Sequence, residues 1–215
     1  RNGERGAFIV FEGLDRSGKS TQVKRLAEAL NAKGIEAKAM NFPNRTTAVG
    51  SVINAYLQSG QDLDDAAIHL LFSANRWEAS KQLKADLEAG ITIVCDRYCF
   101  SGVAFTAAKE TLGYEWCRAP DRGLPAPDVV FYLDVSSDVA QQRGGYGEER
   151  YEKREFQDKV RGVFDRMRKE DSSLWRVVDA GQTFDEVAAQ VTEMALKTAE
   201  QAKNTEVQGL WTSAE

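Results

Sequence analysis

Gly13-Leu14-Asp15-Arg16-Ser17-Gly18-Lys19-Ser20 fits the pattern G-x-x-x-x-G-K-[ST], in which a glycine-rich turn wraps phosphate oxygens in backbone N–H groups. The flanking sequence supports the match. The apolar run at residues 7–11 precedes the turn and reads as a buried strand. Residues 21–33 follow it, with Val23, Leu26, Ala27 and Leu30 at helical spacing. Gly13 and Gly18 let the backbone curl around one anion, and the helix N-terminus adds a favourable field. Lys19 is then placed to bridge β- and γ-phosphates, and the Ser20 hydroxyl to ligate Mg²⁺. The plain alternative is a glycine-rich strand-to-helix turn with a chance lysine, which the flanking elements disfavour.

A chain of 215 residues, 42% hydrophobic and 28% charged, is long enough to bury a full core as one α/β domain spanning 1–215. No apolar run approaches the roughly 20 residues that span a bilayer. The polar start, Arg1 to Gly6, has no apolar signal region, so a cytoplasmic protein without a membrane partner is expected. The net charge is −5 and the isoelectric point about 5.2, which argues against a nucleic-acid polymer as partner. A few arginines focused in one cleft still suit a small phosphorylated ligand. Cys95, Cys99 and Cys117 are odd in number and have no metal-ligand spacing, so they read as small buried hydrophobes in a reducing compartment. His69, the only histidine, reads as structural.

Strand-like runs at 7–11, 37–41, 91–95, 129–133 and 175–178 alternate with helical patterns at 21–33, 46–58, 63–88, 101–109, 137–143, 152–170 and 184–199. Gly34 and Gly90 stand where helix C-caps belong. Thr183 and Glu186 have capping-box spacing. This alternation predicts a five-stranded parallel sheet with helices on both faces and ligands beyond the carboxyl ends of the strands. Leu210 and Trp211, in an otherwise polar tail, are expected to anchor it on the body.

Four further features bear on chemistry. Asp96-Arg97-Tyr98 follows the third strand, where Asp96 can orient Mg²⁺ through water and Arg97 can clamp a second phosphate; an ordinary surface ion pair is the alternative. Arg45, in Phe42-Pro43-Asn44-Arg45, leaves the same sheet edge, and with Arg97 would cancel a dianionic phosphate. Phe72 and Arg76 are four apart and share one helix face. They suit either a nucleobase platform with a planar donor or a core aromatic with an arginine rim. Residues 143–151, with three glycines between Arg143 and Arg150, suit a short lid over nucleotide phosphates or a plain surface connection.

Taken together, the 11–21 segment, Phe42-Pro43, the 72–77 helix segment, Asp96-Arg97-Tyr98 with Phe100-Ser101-Gly102, and Arg150-Tyr151-Glu152 resemble the thymidylate kinases, and their eukaryotic branch in particular. The resemblance runs from about residue 6 to 211. It implies a P-loop nucleoside monophosphate kinase fold, homodimers packed through helices, and the reaction ATP + dTMP → ADP + dTDP with Mg²⁺ in dTTP supply. It also implies an ATP site of Gly13, Arg16, Ser17, Gly18, Lys19, Ser20, Thr21, Arg143 and Gly181, with the metal at Ser20 and Asp96. The dTMP site it implies comprises Asp15, Phe42, Arg45, Phe72, Arg76, Arg97, Ser101, Gly102, Phe105, Tyr151 and Gln157. Asp15, Arg16, Lys19 and Arg97 would be catalytic. Many bacterial relatives carry the charge-neutralising arginine in the lid; here that role falls to Arg16 in the loop.

Three rivals remain. A deoxynucleoside kinase wants a carboxylate base for an uncharged hydroxyl and typically shows Gly-Asn-Ile and Glu-Arg-Ser, where this chain has Gly13-Leu14-Asp15 and Asp96-Arg97-Tyr98. A small GTPase needs an Asn-Lys-x-Asp motif, which does not occur. A catalytically silent nucleotide-binding scaffold would not need the complete set. Nuclear or mitochondrial distribution does not follow from the residues.

Overall fold

The computed structural model describes residues 3–142, 150–151 and 153–212. Among these, strands β1 (Phe8–Glu12), β2 (Ala37–Asn41), β3 (Thr92–Asp96), β4 (Val129–Asp134) and β5 (Trp175–Asp179) form one sheet in the order β2-β3-β1-β4-β5. All its neighbours are parallel. The helices are α1 (Lys19–Ala32), α2 (Ala48–Leu57), α3 (Asp65–Glu88), α4 (Cys99–Ala107), α5 (Tyr114–Arg118), α6 (Ser137–Gln142), α7 (Arg154–Glu170) and α8 (Phe184–Ala202).

The three central strands are buried on both faces, whereas edge strands β2 and β5 are part exposed. Their side chains alternate between two cores, as strand geometry requires. Ile9, Phe11, Val94, Phe131 and Leu133 pack with Val23, Leu26 and Leu30 of α1 and Val187 and Val191 of α8. Phe8, Val10, Val130 and Tyr132 pack on the other face with Leu87 of α3, Val103 of α4 and Phe164 of α7. Continuous apolar runs therefore mark strands sandwiched by helices.

Helix ends follow the local chemistry. Gly34 and Gly90 take φ of 79° and 85°. Each lets the next two amides turn back: Gly34 N–H to Asn31 and Ile35 N–H to Leu30, then Gly90 N–H to Leu87 and Ile91 N–H to Asp86. This double closure satisfies carbonyls that a helix end leaves without partners. Thr183 and Glu186 form the reciprocal capping box at the start of α8.

The observed differences are mostly at boundaries. α1 begins inside the motif at Lys19, α4 starts at Cys99, β3 ends on Asp96, and α8 extends to Ala202. Helix α5 and the 3₁₀ turn Ala119–Asp121 were not expected from the sequence, because so short a segment shows no period. Cys95, Cys99 and Cys117 are all buried free thiols. His69 is fully buried between Thr106 Oγ1 at 2.7 Å and the Cys117 carbonyl at 2.8 Å. Burial, and secondarily Arg76, lowers its pKa. The tail is anchored: Leu210 is buried, and Trp211 sits edge-on to Phe100 and under the Arg118 guanidinium.

Replacing the cap of α8, Thr183→Ala, is expected to lower the unfolding free energy by about 1 kcal/mol. The measurement is the urea midpoint at unchanged slope; an unmoved midpoint would deny the box any stabilising role.

Candidate active site

The strands deliver Glu12, Asn41, Asp96, Asp134 and Asp179 to one edge of the sheet, at their carboxyl ends. Register keeps Asn41, Asp96 and Phe11 side by side across three strands, so the loop after β1 and the residues after β2 and β3 leave from one place.

In the loop, Gly13 and Gly18 have φ of 141° and 93°, and Arg16 takes 63°. A side chain at Gly13 would start 2.7 Å from the Leu133 carbonyl oxygen, so only glycine permits this close approach. Gly18 caps α1 without a side-chain acceptor, leaving the first-turn amides to the loop. Lys19 is buried and its Nζ donates to the carbonyls of Gly13 (3.2 Å) and Leu14 (2.7 Å) and to Ser17 Oγ (3.1 Å). Burial, reinforced by Arg97, lowers its pKa to about 8. Ser20 Oγ donates to Asp96 Oδ2. Among the described residues, no group of three or more His, Cys, Asp or Glu is arranged to hold a metal.

Beside the loop opens a cleft. Asp15, Phe42, Arg45, Phe72, Arg76, Arg97, Ser101, Gly102, Phe105 and Tyr151 all line it. Arg45 and Arg97 also line the adjoining groove that holds Ser20, Lys24 and Asp96. The two arginines thus stand on the border between the cleft and the phosphate loop.

Arg97 is the hub of this border. Its backbone takes φ of 64°, a conformation that costs a non-glycine residue on the order of 1 kcal/mol and persists only where surroundings hold it. They do: the guanidinium donates to Asp15 Oδ1, to the Gly13 carbonyl at 3.2 Å and to Ser101 Oγ at 3.0 Å, and lies over the Phe105 ring. Gln157, expected at the acceptor pocket, is bonded to two residues of the cleft wall. From α7 its Nε2 donates to Asp15 Oδ2 (2.7 Å) and the Tyr151 carbonyl (2.9 Å), and its Oε1 accepts the Asp15 N–H (3.1 Å). It holds cleft residues from behind.

Phe72 and Arg76 both face the cleft from α3. Arg76 is almost fully buried. Its Nε and Nη2 pair with Asp121 at 3.1 and 2.7 Å, and a Cβ on Gly102 would start 2.8 Å from Nη2. Burial works against the Arg76 charge, and the pull of Asp121 outweighs it, so its pKa is raised. Nη1 is not used by the Asp121 pair.

Two residues with large structural parts escaped the sequence reading. Asp121 is one; nothing in its local pattern marks it. Glu12 is the other. Fully buried, its Oε1 accepts the amides of Tyr98 (2.9 Å) and Ser101 (3.0 Å), and its Oε2 accepts Ser101 Oγ at 2.5 Å. It thus caps α4 from the end of β1. Burial pushes its carboxyl above the usual range, against the opposing effect of Arg97. Arg150, read as a border of the lid, is not at the phosphate loop. It donates to the Tyr56 and Gln61 carbonyls and to Asp62, and covers the Tyr56 ring. Arg143 and the glycine-rich segment lie outside the described residues. Gly181 follows β5, its N–H bonded to Asp179 Oδ1 at 2.8 Å, and Ser17 is buried in the loop while Thr21 is exposed on α1.

Known proteins resemble this chain over most of its length. The family model for thymidylate kinase matches residues 11–191. Thymidylate kinases from Danio rerio and Homo sapiens are 46% identical to this chain, over 96% of it and 98% of the fish protein, and over 91% of it and 93% of the human one. A solved thymidylate kinase from Candida albicans superposes with a TM-score of 0.86 at 38% identity, covering 96% of this chain and 98% of its own. Matches of this extent, over the same loop and cleft, mean that the chain belongs to the thymidylate kinase family.

Proposed function

We propose that the chain transfers the γ-phosphoryl group of Mg-ATP to the phosphate of dTMP, with the donor on the 13–21 loop and the acceptor in the adjoining cleft. One observation carries this reading: Arg45 and Arg97 line both cavities, so a phosphate between them faces the loop while its base reaches Phe72 and Arg76. Phe72 stacks on thymine, Arg76 Nη1 donates to a base carbonyl, and Asp15 meets the sugar. Gly181 flanks adenine. The acceptor oxygen is already anionic, so no general base is needed; alignment and charge cancellation suffice. Lys19 and Arg16 supply that cancellation on the donor side. The hydroxyl of Ser20 is a hard oxygen ligand of the kind Mg²⁺ takes together with substrate phosphates, the carboxylate of Asp96 would orient the ion through water, and Mg²⁺ there would neutralise charge on the donor. Homodimers would pack through α2 and α3, where Val52, Leu70 and Trp77 are exposed.

The groups proposed to bind phosphate converge on one edge of the sheet in an acidic chain, which suits a small phosphorylated ligand. No helix among the described residues is long and apolar enough to cross a membrane.

An acceptor panel read by ADP release tests the substrate. Turnover with dTMP should exceed that with thymidine at least about a hundredfold, since thymidine forfeits charge-assisted bonds to both arginines. Equal turnover would assign a nucleoside kinase instead.

Arg16→Gly isolates charge neutralisation, because glycine is the residue best suited to a φ of 63°. A kcat loss of roughly a thousandfold is expected, with KM for both substrates little changed. Wild-type kcat would move the role elsewhere.

Lys19 gives a proton signature. With its pKa at about 8 in the protein alone, against an ordinary value of 10.5 for lysine, docking of a polyanion raises it again. ATP binding therefore takes up protons between these two values, and uptake fades below pH 8 as the free lysine becomes charged. Calorimetry in buffers of different ionisation enthalpy measures it; uptake persisting in Lys19→Met would refer it to another group.

A further inference from the structure

Asn75 lies on α3 between Phe72 and Arg76, is 1% exposed, and does not line the cleft. Its side chain grips the loop that carries Arg45. Oδ1 accepts the Asn44 N–H at 2.7 Å, and Nδ2 donates to the Asn44 carbonyl at 3.1 Å, Thr47 Oγ1 at 3.1 Å and Glu78 Oε1 at 2.8 Å. The orientation is dictated by the partners: a flipped amide would set its NH₂ against an N–H and its oxygen against a carbonyl and a carboxylate. Asn44 is held from the other side as well. A Cβ on Gly50 of α2 would start 1.8 Å from the Asn44 carbonyl oxygen, so the helix backbone lies directly against the loop. Thr47 closes the cluster, its hydroxyl donating to Glu78 at 2.6 Å and accepting the Gly50 N–H at 3.0 Å.

We propose that Asn75 is a positioning residue for the acceptor, setting the span between the base contacts on α3 and the phosphate contact of Arg45. The inference rests on the reading of Arg45 as a phosphate contact. Phe72 and Arg76 read the base from one face of α3, while Asn75, on the same turn, locks the neighbour of Arg45 to that helix. Arg45 is steered further by Asn54 of α2, 2.9 Å from its Nη1. Base and phosphate contacts thus move as one body, and a nucleotide whose phosphate sits at the right distance meets Arg45 without reordering the loop. An aspartate at 75 would keep the acceptor, lose the donor, and face Glu78 and the Asn44 carbonyl with negative charge.

The test is a double-mutant cycle in the full-length chain. Asn75→Ala and Asn75→Asp are expected to raise KM for dTMP about tenfold, with kcat and KM for ATP within about twofold. Glu78→Gln, at an exposed position, gives a smaller rise in the same direction and serves where a core substitution unfolds the chain. Thymidine, which has no phosphate, should bind each variant as it binds wild type by calorimetry. In an Arg45→Ala background, Asn75→Ala should add almost nothing. Additive losses with Arg45→Ala, parallel loss of thymidine binding, or an unchanged KM for dTMP in all three variants would each overturn the proposal. If Arg45→Ala by itself leaves dTMP affinity intact, the phosphate reading of Arg45 fails and takes this inference with it; additive losses with a functional Arg45 sink the inference alone.

Discussion

A carboxylate with no exposed surface, Glu12, joins the two halves of the site. It ends β1, where the phosphate loop begins, and its oxygens cap the first turn of α4, where the adjoining cleft begins. A helix N-terminus carries partial positive charge and amides without partners, so an acid there answers both needs. Ser101 gives its hydroxyl proton to Glu12 and keeps its oxygen for Arg97, which grips Asp15, which Gln157 holds from α7. Strand, loop and two helices are thereby tied by hydrogen bonds, each with a buried or half-buried partner. Loss of Glu12 would leave two amides and a hydroxyl without acceptors in a dry interior.

The cationic side chains around the cleft are stabilised in different ways. Arg76 has a dedicated buried acid, Asp121, which also accepts Ser73 Oγ at 2.8 Å. Removing that acid would leave an unpaired buried charge, a loss of about 3–5 kcal/mol in comparable pairs. Lys19 donates to two carbonyls and a hydroxyl, and burial, reinforced by Arg97, loosens its hold on its proton. Arg97 lies between these extremes, shared among Asp15, Gly13, Ser101 and the face of Phe105. Such a gradation suits the proposed chemistry: the arginine proposed to read the base has a buried acid of its own, and the groups proposed to meet phosphates hold partners a phosphate could replace.

The far wall of the cleft is assembled from rings. Tyr151 stacks on Phe156, leans on Phe105 and donates its hydroxyl to that of Tyr56 at 2.9 Å. Lys109 bonds Tyr56 and Asp65 and faces both tyrosine rings. Arg150 belongs to this cluster and not to the phosphate loop. A glycine-rich neighbourhood with flanking arginines gives no sign of that, because an arginine's reach covers several partners and only the fold selects among them.

The loop at 13–20, the alternation of apolar strands with amphipathic helices, both glycine caps and the 183–186 box were legible from residue types and spacing alone. They depend on contacts between near neighbours: backbone sterics at glycine, the helical period, a side chain reaching its own helix end. From these, and from the rule that ligands gather beyond the carboxyl ends of parallel strands, the sheet edge that carries the site follows. The tertiary structure alone decided which buried polar groups meet. Glu12 finds Ser101 across 89 positions, Arg76 finds Asp121 across 45, and Asn75 finds Asn44 across 31. Many acids and amides could satisfy such partners in an unordered chain; close packing brings one of them within 3 Å and excludes water from the rest, and no local pattern records that outcome.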